Sequence, residues 1–257
     1  MREFDAGSSV ISPYLRVVVG GKPSSGKTSF AATAPAPIFF ADQSEGGFET
    51  LRTMANTPKL RSFWWDPKVE PKVWAMESML EYWPQITRLE QLIATKRCPF
   101  KTVVFDSLSI YGQRVLRELR LADSKRDGRQ NYGDLQSAID LMIARMHALP
   151  LHVIWLCHVT DDYQLTVPGK ATAASWAYMS HKWLIRADVQ AGRAANYQLH
   201  TKPFRTATWL GGRGNPLPDP MIPSFKCIFP LLGLPDKPVS PAVPDYLGQE
   251  YPDGAVY

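Results

Sequence analysis

The segment Gly21-Lys22-Pro23-Ser24-Ser25-Gly26-Lys27-Thr28 sets two glycines, a lysine and a hydroxyl at spacings that suit a bound polyphosphate. Glycines let backbone N–H groups face phosphate oxygens with no side chain in the way, and a helix starting directly behind the loop adds its positive end. Lys27 is then expected to reach the β- and γ-phosphates, and the Thr28 hydroxyl to ligate an accompanying magnesium ion. The expected nucleotide-binding set is Gly21, Ser24, Ser25, Gly26, Lys27, Thr28 and Ser29, with ATP and Mg2+ as the cofactors.

Three further positions could complete such a site. Asp106 ends the apolar run Thr102-Val-Val-Phe and can either face the magnesium or cap the helix that follows, and the two roles are compatible. Hydrolysis also needs a group that orients or deprotonates the attacking water. Glu45 is the first choice and Asp42 the second, both close behind a short apolar run; either could instead cap the next helix. His158, after Leu151-His-Val-Ile-Trp-Leu-Cys157, could sense the γ-phosphate or be an ordinary polar residue at a strand end.

These residues need a scaffold that brings distant segments to one edge. The runs Leu15–Val19, Pro37–Ala41, Thr102–Phe105 and Leu151–Cys157 read as buried strands, each followed at once by polar residues or glycine. Between them, Val73 to Ala94 (interrupted by Pro84), Leu108 to Leu121 and Leu135 to Leu149 carry apolar residues near helical spacing. Strands alternating with helices predict an α/β fold with a mostly parallel central sheet and helices on both faces. Tyr197–Thr201 and Thr206–Leu210 predict a C-terminal antiparallel extension, a hairpin or sheet edge. From Asn215 onward prolines recur every few residues, so regular structure is expected largely to stop. Its end, Asp245 to Tyr257, reads as a solvated tail, a tail draped over the domain, or a partner-docking peptide.

Composition narrows the function classes. A formal net charge of +5 and a pI near 9.1 favour a polyanionic partner. Cys98, Cys157 and Cys227 form no Cys-x-x-Cys pair and no even set, which fits a reducing cytoplasm, the host's if the chain is phage-encoded. The five histidines lack the spacing of a structural zinc site. No apolar stretch is long enough to span a membrane, and the acidic start Met1-Arg2-Glu3-Phe4-Asp5 argues against a secretory signal.

The order of these motifs resembles the RecA-core P-loop ATPases, especially short phage-type members similar to single-strand-annealing recombination ATPases. Gly21 to Thr28 looks like their P-loop, Phe39 to Gly47 like their strand with a catalytic glutamate, Val103 to Ser107 like their Walker B strand, and Trp155 to His158 like their sensor strand. The resemblance implies DNA-contacting loops over 123–131, with Lys125, Arg126 and Arg129, and over 159–175, with Lys170. Asp123 and Asp127 dilute the first of these, which could equally be solvated surface. Arg213 in Gly211-Gly212-Arg213-Gly214 matches a basic element that reaches a neighbouring subunit's γ-phosphate; Gly211 stands where that family carries a lysine. The implied organisation is an arm over 1–14, a RecA-like ATPase core over 15–214 and a proline-rich segment over 215–257. The implied function is an ATPase acting on single-stranded DNA in phage or bacterial recombination or replication. It would work as a homo-oligomeric ring or filament, with a single-strand-binding or replication protein as a further partner. A small-molecule kinase and a non-catalytic, nucleotide-switched adaptor are the competing classes.

Overall fold

The computed structural model describes residues 13–43, 46–56, 72–75, 79–123, 127–167, 179–188, 195–207, 209–212 and 217–234. In chain order the elements are β1 (Arg16–Gly21), α1 (Lys27–Ala31), β2 (Ile38–Asp42), α2 (Gly47–Asn56), β3 (Lys72–Ala75), α3 (Met79–Ala94) and β4 (Thr102–Asp106). Then follow α4 (Leu108–Ala122), α5 (Gly128–Ala148), β5 (His152–His158), β6 (His181–Asp188), β7 (Asn196–His200), β8 (Gly211–Gly212) and α6 (Phe225–Leu232).

All eight strands join one sheet in the order β3-β2-β4-β5-β1-β6-β7, with β8 also pairing β6. The first six are parallel, and β7 and β8 run antiparallel to β6. The expected mostly parallel sheet with an antiparallel extension is what the chain forms. Three strands went unread in the sequence: β3, β6 and the two-residue β8. β3 overlaps the start of the stretch that the apolar spacing assigns to a helix, and the helix itself starts only at Met79. β6 mixes Trp183, Leu184 and Ile185 with Lys182, Arg186 and Asp188, so it lacks the uninterrupted apolar run of the four central strands.

Alternation along the strands sends side chains to two separate cores. Val18, Phe39, Val103, Phe105, Val153 and Trp155 pack under α3, α4 and α5, where Phe105 and Trp155 stack with centroids 4.1 Å apart. Val17, Val19, Ile38, Phe40, Val104, Ile154 and Leu156 face α1, α2 and α6. A parallel strand buried on both faces must be apolar at every position, which is why these runs do not alternate.

The proline-rich stretch is a correction. α6 forms within it, starting after Ser224 and ending at Gly233 in the left-handed conformation. Phe225, Ile228 and Phe229 recur at helical spacing and bury themselves in the second core, with Phe225 stacked on Phe30 of α1 at 4.4 Å. Burying two phenylalanines and an isoleucine outweighs local proline density, and Pro230 falls where the helix has only two residues left. Among the described residues of 206–210 the expected strand does not form either: Ala207 makes an isolated bridge to Phe204, and strand pairing is seen again at β8.

At the amino edge of the sheet, Arg16 donates to the carbonyls of His147, Leu149 and Leu151. The guanidinium thereby collects the open carbonyls at the end of α5 and ties that helix to β1. Burial lowers its pKa to about 10.

Candidate functional site

The carboxyl edge of the sheet gathers the ends of β1, β2, β4 and β5: Gly21, Asp42, Asp106 and His158. Because β5 lies between β1 and β4, His158 stands between the glycine loop and Asp106. A cleft of about 430 Å³ opens there, lined by Pro23 to Ser29, Gly46, Gly47, Thr50, Asp106, His158 and Tyr197.

The loop has the geometry its glycines require. Gly26 sits at φ 90° and caps α1, a conformation that a side chain disfavours. At Gly21 a Cβ would run into Ser25 Oγ and into Lys27 Cγ at 3.1 Å. Ser25 Oγ is buried and makes no hydrogen bond among the described residues, and a buried hydroxyl inside an anion-shaped loop calls for a ligand oxygen. Lys27 is buried, its ammonium 2.9 Å from the carbonyls of both Gly21 and Lys22, so the cation is held in the loop's concavity. Lys22, on the rim, pairs with Asp161 at 2.7 Å. That carboxylate holds the Lys22 ammonium above its ordinary pKa, while the lysine holds Asp161 below its own; both are exposed to solvent, and such pairs contribute little to stability.

Thr28 Oγ1 donates to Asp106 Oδ2 at 2.6 Å. Both groups are hard oxygen donors of the kind that hold Mg2+ through one or two side chains plus phosphate oxygens and water. Among the described residues no cluster of three His, Cys, Asp or Glu could hold a metal by itself. The pair's hard oxygens fit a magnesium ion that arrives with the nucleotide. Asp106 also accepts through its carbonyl from Gln43 N at 2.7 Å, which locks the end of β4 to β2. The helix-capping role considered for this region falls to Ser107, whose Oγ accepts from Ile110 N at 3.4 Å, leaving the Asp106 carboxylate turned to Thr28.

Asp42 is opposite Asp106 in the β2–β4 register and only 2 % exposed. Gly47 explains how α2 approaches these two carboxylates. A Cβ there would lie 3.0 Å from Asp106 Oδ2 and 3.3 Å from Asp42 Oδ1. His158 is fixed at the far side: its backbone N–H donates to Ser109 Oγ at 2.9 Å, and its carbonyl accepts from Thr166 N at 3.0 Å.

The structure thus brings Gly21, Ser24, Ser25, Gly26, Lys27, Thr28, Ser29, Asp106 and His158 together. Glu45, Lys125, Arg126, Lys170 and Arg213 lie outside the described residues. Arg129 is not in a loop but in the first turn of α5, exposed, its backbone N–H capped by Asp127 Oδ1 at 3.0 Å. Sequence reasoning missed Gly47, Ser109 and Tyr197 as parts of the site. Gly47 stood within a motif already noted, and its doubled glycine was the available signal. Nothing in the local pattern marked the other two.

Residues 14–182 match the family model described as an AAA domain, well over half of the 257-residue chain. No curated protein matches the chain in sequence.

Proposed function

Because the chain belongs to the AAA domain family and has an α/β P-loop fold, we propose that it binds ATP with magnesium in the cleft behind the glycine loop and hydrolyses it. The observation that carries this reading is the Thr28 Oγ1–Asp106 Oδ2 contact of 2.6 Å beside the buried Lys27. One ammonium and one hydroxyl from the first two residues of α1, and one carboxylate from the end of β4, converge where a γ-phosphate and its magnesium would lie. His158 serves as the γ-phosphate sensor, and Glu45, or failing it Asp42, orients the attacking water.

The wider reading is a RecA-like ATPase of phage or bacterial recombination or replication that cycles its affinity for single-stranded DNA and works as an oligomer, with a single-strand-binding or replication protein as a further partner. It is supported by the net charge of +5, by the exposed Arg129 at the start of α5, and by the basic residues Lys125, Arg126 and Lys170 at corresponding positions of the resembling family. A cytoplasmic setting, the host's if the chain is phage-encoded, completes this reading; among the described residues no helix is long and apolar enough to cross a membrane.

Steady-state hydrolysis measured with and without single-stranded DNA tests both levels. Turnover that requires magnesium and rises with DNA is the expected result. Tight nucleotide binding without turnover would instead identify a switched adaptor, and phosphate transfer to an added small acceptor a kinase. The triple variant Lys125→Ala, Arg126→Ala, Arg129→Ala should flatten the log–log salt dependence of DNA binding by about 0.7 per lost phosphate contact. An unchanged slope removes this segment from the DNA interface.

A further inference from the structure

Tyr197 is an aromatic residue that the nucleotide chemistry described so far leaves without a task. It sits near the start of β7, which runs antiparallel to β6, with Ala187 as its partner in the register. An antiparallel strand begins where its parallel neighbours end, so Tyr197 reaches the same edge as Gly21, Asp106 and His158. Along β7 it shares a face with Leu199, which belongs to the core that also holds α1. The ring accordingly lies against the glycine loop: a Cβ on Gly26 would meet Tyr197 Cδ1 at 3.0 Å and Cε1 at 3.1 Å.

The sheet order gives this placement a direction. Asp106 and His158, the groups assigned to magnesium and the γ-phosphate, stand at the ends of β4 and β5, on one side of β1. β6 and β7 lie on the other side. A triphosphate held with its γ end toward Asp106 and His158 must send its nucleoside toward β7. Tyr197 lines the cleft there and remains 43 % exposed, so part of the ring is open to a ligand. Among the described residues, no aromatic ring other than Tyr197 lines the cleft apart from the His158 imidazole at the opposite end.

We propose that Tyr197 is the stacking platform for the nucleobase, and that it makes the site prefer purine nucleotides through ring contact. This rests on the nucleotide-binding reading of the same cleft. A wider π face gains more from stacking than a narrow one, and stacking alone reads ring size and not the exocyclic groups. ATP and GTP therefore bind with similar affinity, and CTP and UTP more weakly.

Binding of ATP, CTP and inorganic tripolyphosphate, each with magnesium, to the full chain tests this. Tyr197→Leu fills similar space without a π face, Tyr197→Phe keeps the face, and Tyr197→Ala removes the side chain. Leu and Ala at 197 are expected to weaken ATP about tenfold or more, to reduce the preference of ATP over CTP, and to leave tripolyphosphate unchanged, while Phe behaves as Tyr. Equal losses for ATP and tripolyphosphate would mean that the ring only props Gly26, and unchanged ATP binding in all variants would remove Tyr197 from the site; either overturns the proposal. A wild-type protein that binds tripolyphosphate as tightly as ATP also overturns it while leaving the phosphate loop standing. Binding of neither would overturn the nucleotide reading itself.

Discussion

Thr28 Oγ1 and Asp106 Oδ2, separated by 78 residues in the chain, meet at 2.6 Å. The threonine is the second residue of α1 and the aspartate the last of β4, so the contact forms only when the glycine loop and the sheet edge are assembled together. A magnesium ion drawn to this pair would be oriented by both partners at once.

The first expected outcome follows from that coupling. Asp106→Asn keeps the shape and loses the charge, and should raise the magnesium concentration for half-maximal turnover about 10- to 100-fold, the usual effect of losing a group that orients a metal or its ligands. Thr28→Ala should act through the same ion, so the double variant loses less than the product of the two single losses. A magnesium titration of turnover for all four proteins decides it. Unaltered magnesium dependence in Asp106→Asn would detach this carboxylate from the metal.

Gly47 offers a change that separates activity from stability. Gly47 opens α2, where replacing glycine with alanine stabilises by less than the roughly 1 kcal/mol gained in a helix interior. Here the new methyl would press on Asp106 Oδ2 and on the Asp42 carboxyl carbon at 3.0 and 3.2 Å, so one or both carboxylates must give way. Gly47→Ala is expected to melt no lower than the wild type while turning over several-fold more slowly. A variant equally active and equally stable would show that the positions of these carboxylates do not matter to the reaction.

Most of the fold and the phosphate-binding half of the site were legible in the sequence, because both rest on local signals. Val17, Val18 and Val19 running into Gly20 and Gly21 announce a buried strand and a tight loop without reference to the rest of the chain. β6 was not legible: Lys182 and Arg186 flank the buried Trp183, Leu184 and Ile185, and only pairing with β1 shows the segment to be an interior strand. Tyr197 was hidden for a related reason. Its proximity to Gly26 is set by two successive strand pairings, β1 with β6 and β6 with β7, and no spacing in the sequence encodes such a contact. α6 was missed because local proline counting cannot weigh the burial of Phe225 against Phe30.

Histidines held below their ordinary pKa predict how the fold answers to acid: His152 and His181 are buried, His147 is half-buried, and burial lowers His200 as well. Burial, reinforced by the Arg16 charge, lowers the pKa of His147 to about 3. Burial with Arg16 and Lys101 lowers His152 to about 4, and burial alone lowers His181 to about 4. Each lies below the ordinary histidine value of 6.5, so between that pH and the folded pKa the unfolded chain binds more protons than the native one. Stability is then fully present above about pH 6.5 and falls as pH drops toward 4, by up to about 1.4 kcal/mol per pH unit for each histidine. Denaturant midpoints between pH 6.5 and 4.5, above most carboxylate titration, should decline steadily, and His181→Gln should flatten the slope. Constant midpoints across that window would mean that these rings are not held neutral.

The last expectation concerns Arg213 and whether the working form is an assembly. β8, Gly211–Gly212, pairs with His181 and Lys182 at the start of β6, and Arg213 follows it directly in the sequence. In the family that the motif order resembles, a basic element at this point enters the site of the adjoining subunit and stabilises charge developing on the γ-phosphate. An arginine so used is worth about 10³-fold or more in rate. If the chain works this way, turnover per subunit rises with protein concentration, and Arg213→Ala lowers the plateau rate with little change in ATP affinity. Lys27→Ala is expected to lose hydrolysis for a different reason, since it removes the cation proposed to hold the β- and γ-phosphates within its own subunit. Mixing the two variants then creates interfaces in which an intact Lys27 site faces an intact Arg213, and these should regain activity that neither variant has alone. A mixture no faster than the sum of its parts, prepared at concentrations where wild-type turnover has reached its plateau, would show that Arg213 does not act across subunits.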